Sequence, residues 1–265
     1  MKSSQRFWLA FLGSTSLALG TAASGEQLIA NLDFGPSDQV AVGLAAFASG
    51  TATDVWNNRT TLTGLGSNPA APNTQALVGP DGSASGISYF AGSGPDAVNS
   101  PKNGGGNTGA FNVTNTGPFT NPSMDYAYSS NNPANTGKTI NGVTVDIAYR
   151  FTLFDAAGTK LDNKKLYDIY IFGGGDKPGQ GASFVLRQDG TDGPVFLTKS
   201  YAGTPVNGNP TTYEEGGNLV IFENVSPTTI GAKGREFELS GFSPLGANGT
   251  ITVGGIQIVE VPEPS

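Results

Sequence analysis

The sequence predicts an all-β protein, an antiparallel sandwich of two sheets with long polar loops. Three observations carry this. Apolar residues after the N-terminus recur with period two and nowhere sustain a helical period. Gly and Pro together make up 56 of 265 residues, which supplies turns and breaks helices. Charged residues are only 13% of the chain, against roughly 25% in an average soluble domain, so the Lys- and Glu-rich surface of exposed helices is missing.

The chain opens on MKSSQRFWLAFLGSTSLALGTAAS, with basic Lys2 and Arg6, an apolar run from Phe7 to Leu19, and then small residues. That order is the one a secretory leader needs, with cleavage expected near Ala23 or Ser24. The run falls short of the ~20 apolar residues of a spanning helix. Residues 1–24 are therefore read as a signal peptide and residues 25–260 as one domain, because no linker or second core divides them.

EQLIANLDFG is the first strand candidate. From about Gly35 to Pro133, the short patterned runs DVWNN, GISYF and MDYAYSS stand between long polar loops. The clearest strand is VTVDIAYRFTLF, where Val143, Val145, Ile147, Tyr149, Phe151 and Leu153 share one face. Of that face Val145, Ile147, Tyr149 and Phe151, together with Ile169 and Ile171, are expected to be buried between the sheets. The loop DAAGTKLDNK leads to KLYDIYIF, apolar on both faces and so expected at the centre of a sheet. GGGDKPGQG then reads as a tight connection that only a glycine-rich backbone makes. ASFVLRQ and VFLTKSY read as paired strands, and NLVIFENV, REFELSGF and GTITVGGIQIVEV complete the set.

Removing the leader leaves 12 basic against 21 acidic residues. Phosphate backbones bind through Lys and Arg, so nucleic acid is excluded as a partner, and an anionic membrane surface is disfavoured for the same reason. Cysteine and histidine are both absent, which removes thiol nucleophiles, Ser-His-Asp triads and His- or Cys-ligated metals. The expectation is a non-enzymatic protein without a cofactor.

NLDFGPSD, DVWN, MDYAYSS, LYDIYIFGGGDKPGQGASFVL and GTITVGGIQIVEVPEPS together resemble the PEP-CTERM proteins, exported bacterial proteins named for a C-terminal Pro-Glu-Pro sorting signal. The resemblance is better from Val143 onward than before it. It implies a jelly-roll or galactose-binding-like body. It also implies that Val261, Pro262, Glu263, Pro264 and Ser265 form the element that an exosortase, a membrane-embedded peptidase, recognises. In that family a transmembrane segment and an arginine cluster follow the element; both are expected beyond Ser265 in the complete gene, and any membrane contact would run through them. The implied location is the bacterial cell surface or extracellular matrix.

Other chemistry is weighed on the residues. Trp56, the single tryptophan of the mature chain, has Asp54 and Asn57 beside it, and Tyr126 and Tyr128 form a second cluster. An aromatic face with amide and carboxylate groups recognises a sugar's apolar face and its hydroxyls, so these five are candidate glycan-binding residues. Core packing is the competing role for Trp56. Asp176, Asp189 and Asp192 are calcium candidates by their oxygen chemistry, although Asp in Gly-rich turns commonly caps the backbone. Asp54, Asp125, Glu214 and Glu215 are the carboxylates from which a glycosidase pair could be drawn.

Overall fold

A computed structural model of the chain describes residues 26–33, 41–42, 55–58, 75–91, 107–110, 125–129, 138–140, 143–155, 157–173, 178–187, 197–203, 213–230, 234–244 and 251–262. All regular structure among them is strand. The described part of the protein is all-β.

Six strands form one sheet, in the order β13 (Leu219–Val225), β10 (Leu166–Phe172), β17 (Gly255–Val261), β1 (Gln27–Asp33), β3 (Val55–Asn58), β2 (Ala41–Val42). A second sheet runs β12 (Leu197–Tyr201), β11 (Ala182–Arg187), β15 (Gly234–Pro244), β9 (Val143–Asp155), β5 (Ala84–Ala91), β4 (Gln75–Val78). In it β14 (Thr228–Ile230) also pairs with β15, and β8 (Lys138–Ile140) with β9. A small third sheet joins β16 (Ile251–Val253), β7 (Asp125–Ser129) and β6 (Asn107–Ala110).

The period-two reading holds where side chains are described. β10 lies between β13 and β17, with Ile169 facing Phe222 on one side and Ile258 on the other. One face of β10 puts Tyr167, Ile169 and Ile171 in the main core, and the other puts Tyr170 and Phe172 in a second apolar cluster. A strand buried on both faces is what apolar residues on both of its faces require, with Asp168 the one charged interruption. The main core also takes Ile256 and Ile258 from β17, Leu153 from β9, Phe184 from β11 and Phe237 from β15, so it draws on both large sheets. Of the face expected on β9, Leu153 is fully buried; the side chains of Val143, Val145, Ile147, Tyr149 and Phe151 lie outside the described residues.

Two expectations are corrected. GTITVGGIQIVEV is two strands, not one: β16 pairs with β7, while β17 pairs with β10 and β1. Gly254 separates them, its N–H donating to the Phe172 carbonyl at 2.8 Å. The pairing is also not wholly antiparallel, because β1 and β3 run parallel, Leu32 beside Asn57.

At its two ends, Gly173 and Gly181, the glycine-rich connection after β10 passes close to other chain segments. A Cβ on Gly173 would meet the Asn218 carbonyl and the Tyr201 ring, and one on Gly181 would overlap the Tyr201–Ala202 backbone. Gly203 has φ +86°, and a Cβ there would overlap Gln180 and Gly181. Two chain segments cross here with no room for a side chain between them.

Candidate functional site

Two turns and a strand pair meet at the end of the sheets where β1 begins and β17 ends. The first follows β9. Asp155 accepts hydrogen bonds from the backbone N–H groups of Ala157 at 2.9 Å, Lys160 at 2.5 Å and Leu161 at 3.3 Å. Burial pushes the Asp155 pKa up, and these N–H bonds outweigh it and hold the carboxyl below its ordinary range. Leu161 plugs the loop into the core. From β10, the Tyr167 hydroxyl donates to the Lys160 carbonyl and accepts from the Asp162 N–H, both at 2.9 Å. Its ring is fixed edge-on against Phe237, centroids 5.5 Å apart. The backbone that carries Lys160 is therefore pinned from both sides.

The second turn joins β4 to β5. Asp81 Oδ1 accepts from the Ser83 N–H at 2.9 Å and the Ser83 hydroxyl at 2.7 Å, and these bonds lower the Asp81 pKa. The Val55 N–H donates to the Pro80 carbonyl at 2.8 Å, which ties this turn to β3. On the third side Gln27 pairs with Glu260. There the Lys165 Nζ meets Glu260 Oε1 at 2.7 Å, and the Glu260 hydrogen bond raises the Lys165 pKa.

Between the turns lies an open cleft of about 470 Å³, within the size range of small-ligand sites. Glu26, Asp81, Glu260, Lys160 and Lys165 line it, with Ile29 among its apolar residues. Asp81 is held in its ionised form and Lys165 in its protonated form, so neither trades protons near neutral pH. Carboxylates that accept and ammonium groups that donate can grip hydroxyl groups.

Among the described residues, none of those singled out by sequence lines this cleft. Trp56 is fully buried, its ring 6.2 Å from that of Phe172, so it has no free face on which a sugar could stack. This corrects its glycan-facing role. Asn57 is corrected likewise. Its amide donates to the Asn31 and Val78 carbonyls and accepts from the Val78 N–H, each at 2.9 Å. One side chain thus bridges β1 and β4, members of the two large sheets. Tyr126 and Tyr128 stand on β7 in the small sheet, opposite Gly109 and Asn107; their side chains, like Asp54, lie outside the described residues.

Asp125 begins β7, while Glu214 and Glu215 sit exposed in the turn before β13, with Glu215 paired to Lys199 at 2.9 Å. The calcium candidates Asp176, Asp189 and Asp192 lie outside the described residues. Among the described residues, no three acidic side chains come together as a metal site. Of the tail element, Val261 is the last paired residue, opposite Leu166, and Pro262 is half-buried and outside the ladder; Glu263, Pro264 and Ser265 lie outside the described residues.

Sequence reasoning missed Lys160, Lys165, Asp81 and Glu260. Only the Asp-initiated turns DAAGTK and DGS marked two of the three walls, and turn residues alone do not say which turns meet. No protein-family model, curated protein or solved structure matches this chain.

Proposed function

We propose that this is an exported, non-enzymatic protein of the bacterial cell surface or extracellular matrix. Its body is a two-sheet sandwich of the jelly-roll or galactose-binding-like kind, sorted through Val261–Ser265 by an exosortase-type enzyme. The observation that carries the reading is the position of β17. It is paired on both sides, to β10 and to β1, and the Pro-Glu-Pro begins one residue after its last pair. Proline has no backbone N–H and keeps φ near −65°, so the chain leaves the ladder there. An extended, solvated backbone is the form in which a peptide is read in a groove.

The test is expression of the complete gene in its own host, with Pro262, Glu263 and Pro264 replaced by Ala. The variant is expected to stay unprocessed and off the surface. Normal processing and display of the variant would refute the sorting role.

A second reading, a module that binds an extracellular glycan, is favoured by the cleft, whose lining suits hydroxyl groups. A neutral glycan whose binding is lost in Lys160→Ala and Asp81→Ala would support it. A glycan screen with no hit would end it.

A further inference from the structure

The cleft at the start of β1 carries an unbalanced charge. Its carboxylates are Glu26, Asp81 and Glu260, and its ammonium groups are Lys160 and Lys165. Lys165 is already taken by Glu260, at 2.7 Å. Asp81 forms no ion pair among the described residues. The Lys160 stem lies over Gly86, where a Cβ would come within 3.1 Å of its Cγ, and Lys160 is not among the groups that act on the Asp81 carboxyl. Ser83 occupies Asp81 Oδ1. A carboxylate accepts up to about four hydrogen bonds, so Asp81 keeps the capacity to take a further donor.

The chain itself carries a cation to this place. Gln27 opens β1 opposite Glu260, and Glu26 and Gln27 are part of the cleft wall. Cleavage of the leader after Ala23 or Ser24 leaves the new α-amino group on Ser24 or Gly25, one or two residues before Glu26; both lie outside the described residues. That length of chain reaches at most about 4–7 Å, so the group stays beside the cleft. An α-amino group has a pKa of about 7.7–8.0 and is an ammonium at neutral pH. In the uncleaved precursor the same nitrogen is a neutral peptide N–H.

We propose that removal of the leader completes the cleft: the new α-ammonium turns back into it and pairs with the Asp81 carboxylate. The pair brings the cleft to charge balance. It also fastens the start of β1 to the β4–β5 turn, which the Val55 N–H already ties to β3. This docking rests on the export reading, and it needs neither the sorting role nor a glycan.

Mass spectrometry of the protein recovered from its host, and a pH titration of its N-terminal residue by NMR, test this. The mass is expected to place the first residue at Ser24 or Gly25. The α-ammonium is expected to titrate about half a pH unit or more above a free α-amino group, because a nearby carboxylate favours the charged form. Asp81→Asn keeps an oxygen for Ser83 and is expected to return the titration to about 7.7–8.0. Glu214→Gln, on an exposed turn outside the cleft, removes the same charge and is expected to leave the titration raised. A leader still attached would overturn both the export reading and the docking. A cleaved chain whose α-ammonium titrates alike in parent and Asp81→Asn would overturn the docking alone and leave export standing.

Discussion

Gly203→Ala tests whether the crossing after β10 is as close as the structure shows. Gly203 has φ +86°, and the three atoms nearest a Cβ there all belong to the backbone of Gln180 and Gly181. Its N–H donates to the Gly217 carbonyl at 2.9 Å, and its own carbonyl accepts from the Gly179 N–H at 3.1 Å. The left-handed conformation costs an L-residue about 1–2 kcal/mol. Because the clash is with backbone and not with the end of a flexible side chain, the two segments must separate, adding about 1–3 kcal/mol of overpacking. The expected loss is roughly 2–5 kcal/mol, a large share of a typical ~5–15 kcal/mol total. Gly179→Ala is the internal control. It has φ +82° but nothing within 4 Å of its Cβ, so only the conformational cost applies. Urea unfolding of parent and both variants gives the two differences. If Gly203→Ala and Gly179→Ala agree within about 0.5 kcal/mol, an ordinary surface-substitution effect, the close approach is refuted.

Ile169→Asp strands a carboxylate in the main core and is expected to cost about 4–5 kcal/mol at neutral pH, the upper end of single-site effects. Burial raises the folded-state pKa of the new Asp above its unfolded value of about 3.9, so the deficit shrinks as pH falls toward ~4. Ile169→Asn, which does not titrate, serves as the reference, and equal pH profiles for the two would contradict a buried site. Asp155→Ala removes the acceptor of the Ala157, Lys160 and Leu161 N–H groups and is expected to cost roughly 1–3 kcal/mol. The Asp155 pKa is lowered in the fold, so its contribution is present above the unfolded pKa of about 3.9 and lost as pH falls through the folded value. Parent and Asp155→Ala urea midpoints should therefore converge in acid, and a gap that persists there would mean the loop is held by something else.

Much of the strand content was legible because a strand's face is a local, period-two property. KLYDIYIF is apolar on both faces, and that alone placed β10 inside a sheet, where it lies between β13 and β17. The glycines of GGGDKPGQG likewise announced a tight passage, because glycine is the residue that needs no room. The absence of His and Cys chemistry, and the expectation of no nucleic-acid partner, required only counting. The partners of each element were not legible, since pairing is set by contacts between residues far apart in the chain. Nothing local splits Ile251–Val253 from Gly255–Val261 onto different sheets, or runs β3 parallel to β1. Trp56 shows the limit most plainly. The same DVWNN describes a sugar platform or a core residue, and only the packing of its ring against Phe172 decided for the core. The cleft is the converse case. Asp81, Lys160, Lys165 and Glu260 are ordinary turn and strand-end residues in sequence, and they come together only where folding brings two separate turns to the paired ends of β1 and β17.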